Sequence, residues 1–121
     1  MNPVKYKIVI YQGKTYEEPF RFQDASGTVI DMTGWTGRMQ IRTAADAATY
    51  EIELTTENGR IIIDEEAGKV TLYLTDDLTA ALTPGSFVYD LELTTSTGRV
   101  YGPLYGGVSV KAEVTKDVPD E

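Results

Sequence analysis

The sequence predicts an all-β protein, a sandwich or small barrel of antiparallel strands with one short helix. Three observations carry that prediction. Apolar residues recur with period two along most of the chain, which sends alternate side chains to one face of a strand. Glycine-bearing turn signals separate the alternating runs. One segment alone, Thr75–Leu82, breaks the pattern with helical spacing.

The elements follow in order. Val4, Tyr6, Ile8 and Ile10 alternate with Lys5, Lys7 and Val9, giving a first strand over Lys5–Ile10. Trp35, Met39 and Ile41 form the inward set of a strand that Gly34 and Gly37 allow to bend. Its outward set, Arg38, Gln40 and Arg42, can pair with Glu51 or Glu53 across an exposed loop, Thr43–Ala48. Tyr50, Ile52 and Leu54 continue the inward pattern, and Asn58-Gly59 is the strongest hairpin signal, joining Glu51–Thr55 to Ile61–Asp64. Glycine turns also fall at Gln12-Gly13, Ala25–Gly27, Glu65–Gly68, Pro84-Gly85 and Ser96–Gly98.

Thr75 is placed as the N-cap of a helix over about Asp76–Leu82, with acids in its first turn and Thr83-Pro84-Gly85 ending it. That helix bridges two strands, carrying the chain from one sheet to the other. Phe87, Tyr89, Leu91 and Leu93 face inward on the next strand, and Val108, Val110, Ala112 and Val114 on the last. Before Val108, the segment Tyr101–Gly107 reads as a strand with a glycine bend or bulge, or as an aromatic contact patch. The 121 residues make one domain, ordered over about 4–115, with a polar tail at 116–121.

Composition narrows the chemistry. Histidine and cysteine are both absent, which removes disulfides, thiolate nucleophiles, Cys/His zinc sites and imidazole bases. The formal charge is −8 and no stretch clusters Lys and Arg, which disfavours nucleic-acid binding. No apolar run is long enough for a membrane helix, and the N-terminus does not read as a secretory signal. The acidic groups Glu17-Glu18, Asp64–Glu66, Asp76-Asp77 and Asp117 with Asp120-Glu121 read as solvated turn and capping residues, since none fits a calcium loop. The expectation is therefore a protein that is not an enzyme, with no catalytic residues, cofactor or metal.

Tyrosine is over-used, with eight residues. Tyr6, Tyr50 and Tyr89 lie in the apolar phase and are expected in or at the edge of the core, their hydroxyls reaching polar partners. Trp35 is likewise expected to pack in the core. Tyr11, Tyr73, Tyr101 and Tyr105 are less clearly inward and favour contact with another protein, because tyrosine buries large area at small entropy cost, and an exposed edge such as the first strand invites pairing. Lys5, Lys7, Val9, Tyr11, Tyr101, Leu104 and Tyr105 form the candidate assembly surface.

Three blocks of residues then suggest a family. Asp31-x-Thr33-Gly34-Trp35-Thr36-x-Arg38-Met39-Gln40-Ile41-Arg42 resembles a segment common in small phage and prophage tail proteins. Ala81-Leu82-x-Pro84-Gly85-x-Phe87-Val88-Tyr89-Asp90-Leu91-Glu92-Leu93 follows in the same order, as do Gly98-x-Val100, Gly107-Val108-x-Val110 and Glu113-Val114-Thr115. Tyr11–Tyr16 resembles the family's opening, ahead of a turn over Asp24–Gly27. The resemblance implies an immunoglobulin-like antiparallel β-sandwich, similar to the N-terminal domain of phage baseplate upper proteins. It further implies a structural protein of the tail or baseplate, made in the host cytoplasm and found in the virion. Its expected partners are other phage virion proteins and copies of itself, with no nucleic acid and no membrane. The alternatives are a capsid decoration protein and a bacterial adhesin or carbohydrate-binding sandwich module.

Overall fold

The computed structural model describes residues 1–115, so the expected polar tail at 116–121, with Asp117, Asp120 and Glu121, lies outside the described residues. Nine strands and one helix follow one another as β1 (Val4–Lys5), β2 (Ile8–Tyr11), β3 (Tyr16–Arg21), β4 (Thr36–Arg42), β5 (Ile52–Thr55), β6 (Ile61–Asp64), β7 (Lys69–Leu74), α1 (Asp76–Ala80), β8 (Gly85–Thr94) and β9 (Val100–Lys111). They form an all-β sandwich. The larger sheet has the order β1-β9-β8-β4-β5, with β2 also paired to β9, and the smaller has the order β3-β7-β6. Between them lies one core containing Ile8, Ile10, Met39, Leu54, Leu72, Leu74, Leu91 and Leu93.

Alternation works where both neighbours of a strand are in place. In β8 the pattern is strict, with Phe87, Tyr89, Leu91 and Leu93 buried and Val88, Asp90 and Glu92 exposed. Met39 and Ile41 of β4 and Ile52 and Leu54 of β5 are buried as expected. At strand ends the pattern fails. Val4 is 58% exposed and Val114 is 93% exposed, because β1 is only two residues long and β9 stops at Lys111. Tyr50 is 47% exposed because it precedes β5, so no sheet fixes its phase.

The first strand is a correction to the antiparallel expectation. It is split at Tyr6-Lys7 into β1 and β2, and both parts run parallel to β9 in a single register. Val4 faces Leu104, Lys5 faces Tyr105, and Ile8 to Tyr11 face Val108 to Lys111. Parallel neighbours need a long intervening connection. Here nearly the whole domain supplies it.

The Asn58-Gly59 turn is a second correction. β5 pairs with β4 in the larger sheet and β6 with β7 in the smaller, so this turn is a corner between sheets, not a hairpin. Asn58 holds the corner. Its Oδ1 accepts from the amides of Thr55 and Arg60 at 3.0 Å each, and its Nδ2 donates to the Glu53 carbonyl at 3.1 Å. The hairpins that do form are β4–β5 across the Thr43–Ala48 loop, β6–β7 around Gly68, at φ +58°, and β8–β9 around Gly98.

The helix lies where its cap places it. Thr75 accepts the Leu78 amide through its hydroxyl, and Asp76 and Asp77 sit in the first turn, where the helix dipole favours acids. The helix ends at Ala80, short of Leu82, and carries the chain from β7 in one sheet to β8 in the other. Met32, which alternation had not placed, plugs the core from the loop before β4, held by its amide to the Glu65 carbonyl at 2.9 Å.

The Tyr101–Gly107 segment is a bulged strand. Leu91 faces Leu104 but Leu93 faces Tyr101, so Gly102 and Pro103 together oppose Glu92. Proline is tolerated there because a bulge frees its position from the ladder. Gly106 faces Tyr89 and adopts φ +154°, and a Cβ on it would sit 2.5 Å from the Tyr6 carbonyl oxygen. Replacing Gly106 with alanine should therefore destabilise the fold by about 1–3 kcal/mol through backbone strain alone. Gly102→Ala, whose Cβ would meet only the Leu91 carbonyl at 3.9 Å, should change stability by less than about 0.5 kcal/mol. Urea unfolding of both variants checks this, and equal losses would contradict the close approach of Tyr6 to Gly106.

Candidate assembly face

The sheet register brings most of the candidate surface together. Lys5 pairs with Tyr105, Tyr105 with Asp90, Asp90 with Gln40 and Gln40 with Glu53, so one row crosses five strands on the outer face. Beside it, Gly107 pairs with Val88 and Val88 with Arg42, and Lys7 continues the β1–β2 register next to Gly107. Val9 pairs with Ser109 and Tyr11 with Lys111 on the same face. Tyr105 is 45% exposed and Tyr11 58%.

Two of the expected surface residues lie elsewhere. Leu104 is buried in the core, since it neighbours Tyr105 and alternation turns it inward. Tyr101 sits beyond the bulge and stacks on Trp35, ring centroids 6.2 Å apart, at the edge of the core. Trp35 thus packs against the core as expected. The remaining five, Lys5, Lys7, Val9, Tyr11 and Tyr105, share the outer face of the larger sheet.

Charge on this face is organised by strand. Lys5 and Lys7 line its β1–β2 margin with Lys111 at the end of β9 beside Tyr11, Asp90 and Glu92 lie on β8, and Arg38 and Arg42 on β4. Five of the eleven basic side chains therefore stand on one face of a chain whose net charge is −8. Glu53 accepts from Arg38 at 3.0 Å and from Gln40 at 2.6 Å. The Gln40 bond first, then Arg38, holds its carboxyl below the usual glutamate range. Of the two partners expected for the β4 arginines, Glu53 is used and Glu51 instead accepts the Thr83 amide at 2.9 Å. Arg42 donates to Gln40 at 3.1 Å and to the Ala47 carbonyl at 2.7 Å, with the Tyr50 ring 6.0 Å away. Between these side chains run two open grooves of about 210 and 180 Å³, which share Gln40 and Asp90.

Behind the face, a polar cluster ties the edge strand to the smaller sheet. Glu18 belongs to the inward set of β3 with Tyr16 and Phe20. It accepts the Tyr6 hydroxyl and, at 2.8 Å, the Tyr16 hydroxyl. Tyr89 reaches past Gly106 to donate to the Tyr6 carbonyl at 2.7 Å, and Tyr6 packs edge-on against Phe20 at 5.1 Å. Tyr6 and Tyr89 thus find the polar partners expected of them. Glu18 corrects the reading of Glu17-Glu18 as solvated turn residues, for it lies on a strand and points inward. The available signal was its phase, two residues from both Tyr16 and Phe20. Glu65 and Glu66 do occupy a turn and Asp76-Asp77 a helix start, while Asp64 closes β6 opposite Lys69.

Among the described residues no group of three or more Asp or Glu side chains is arranged to hold a metal ion. No helix among them is long and apolar enough to cross a membrane. No protein-family model matches the chain, and no curated protein matches it.

The tyrosine cluster sets the response to alkali. Burial raises the Tyr16 and Tyr89 hydroxyls above the ordinary value of 10.0, and the bond to Glu18 raises Tyr6. Above pH 10 the unfolded chain therefore loses protons that the native state keeps, and stability falls as pH rises. Tyr16, the phenol held highest, steepens the fall by up to about 1.4 kcal/mol per pH unit. Tyr16→Phe should cost about 1 kcal/mol at neutral pH and flatten the alkaline fall. Denaturant unfolding at stepped pH measures both, and an unchanged alkaline slope would contradict the role given to Tyr16.

Proposed function

We propose that this chain is a non-enzymatic structural subunit that works through protein–protein contacts on the outer face of its larger sheet. The observation that supports this best is the convergence of Lys5, Lys7, Val9, Tyr11 and Tyr105 on one mixed-charge face. That face adjoins the outermost strand of the sheet, whose free backbone groups are themselves a pairing surface. Tyrosine and arginine are the side chains enriched at contact surfaces, and Tyr11, Tyr105, Arg38 and Arg42 all stand on this face.

The setting we propose is the tail or baseplate of a tailed-phage virion, in an immunoglobulin-like sandwich. The resemblance of its sequence blocks to phage tail proteins supports it, and their residues here have architectural jobs. Asp31 accepts the Thr33 amide at 2.9 Å and its hydroxyl at 2.6 Å, turning the chain. Gly34, at φ +80°, then donates its amide to Glu65 at 2.7 Å. Phe87, Tyr89, Leu91 and Leu93 of the second block fill the core. Such blocks specify a scaffold.

Gold-labelled antibody against the protein, applied to particles induced from a strain that carries the gene, tests this setting. Label is expected on the tail. Label on the head would replace the tail assignment with capsid decoration, and unlabelled particles would overturn the virion reading.

A further inference from the structure

Resting on that assembly reading, we infer that the partner on this face is a second copy of the chain, docked about a two-fold axis that runs along β9 through Tyr105. The row Lys5–Tyr105–Asp90 places a cation, an aromatic ring and an anion side by side on three adjacent strands. Strand spacing sets Lys5 and Asp90 roughly 5 Å to either side of the Tyr105 strand. A half-turn about an axis along β9 exchanges left and right across that strand and keeps each residue at its own height. Lys5 of one copy then lies over Asp90 of the other, Asp90 over Lys5, and the two Tyr105 rings meet at the axis. The surface is complementary to itself, as a two-fold contact requires.

Three further observations favour a second copy over another partner. The ion pairs among the described residues are Lys14–Glu113 and Arg38–Glu53, so neither Lys5 nor Asp90 is paired within the chain among them. A uniformly acidic partner attracted by Lys5 and Lys7 would be repelled by Asp90 and Glu92 on β8, and a basic partner would meet the reverse. A second copy satisfies Lys5 and Asp90 together, while Lys7 of each copy lies over Val88 of the other. The neighbouring row adds room and apolar area: Gly107 has no side chain to hold the copies apart, and Val88 beside it is 37% exposed.

Sedimentation velocity from micromolar to millimolar protein tests this with Lys5→Glu, Asp90→Lys and the variant carrying both. The wild-type chain is expected to reach a dimer. Each single reversal creates two like-charge contacts by symmetry and should raise the dissociation constant at least tenfold. The double reversal re-forms both pairs with signs exchanged and should recover most of the wild-type affinity. Both positions are exposed, so the variants should keep the wild-type melting transition, which circular dichroism follows. A wild-type chain that stays monomeric at millimolar concentration overturns the inference, and so does a dimer that both single reversals leave intact. A monomer that still labels virion tails defeats the two-fold contact alone. A rescued dimer absent from particles defeats the virion setting alone.

Discussion

Much of this structure hangs on one close approach, the passage of the Tyr6 backbone over Gly106. Because position 106 has no side chain, the edge strand lies against β9 with the Tyr6 carbonyl where a Cβ would otherwise stand. Tyr89 can then reach that carbonyl from two strands away, and the Tyr6 ring can turn down to Glu18 on the opposite sheet. A carboxylate and three phenols are thereby partnered at the partly buried margin between the sheets, and no buried side-chain nitrogen or oxygen among the described residues lacks a hydrogen bond. A partnered polar cluster fixes a unique arrangement where apolar packing alone would tolerate sliding. In this case it fixes the strand that sets Lys5 beside Tyr105.

The sequence was most legible where physics is local. Period-two alternation identified β4 and β8 with their faces, Thr75 marked the helix start, and the glycines of Tyr101–Gly107 announced a bulge. What escaped depends on partners distant in the chain. Turn chemistry at Asn58-Gly59 says that the chain reverses, not which sheet receives it. Alternation assigns a face but not the point where a ladder stops, so it places Tyr50, Val4, Ala112 and Val114 inward while they lie outside. Glu18 and Met32 are the converse: their types argue for surface or leave them unplaced, and tertiary contacts bury one completely and turn the other inward. The candidate face was half legible, since its residues could be named but only the β1–β9 and β8–β9 registers show that five of them share one surface.

The charge distribution follows the same division between loops and sheet. Acids gather in the turn after β6, at the start of α1 and around Asp24 and Asp31, where backbone amides and water receive them. The outer face of the larger sheet departs from the overall excess, with lysines at one margin and alternating columns of each sign beyond it. An excess of negative charge elsewhere keeps copies apart in other orientations while leaving this face locally balanced.

The parallel pairing of β1–β2 with β9 also decides how the domain meets mechanical force. Tension applied between a point before β1 and a point after β9 pulls these two neighbours lengthwise in opposite directions. The hydrogen bonds between them, from Val4 to Tyr11, are then loaded together in shear. An antiparallel terminal pair pulled the same way would unzip one bond at a time. The domain is therefore built to transmit pull along its strands, with Gly106 and the Tyr6 anchor at the middle of the clamp.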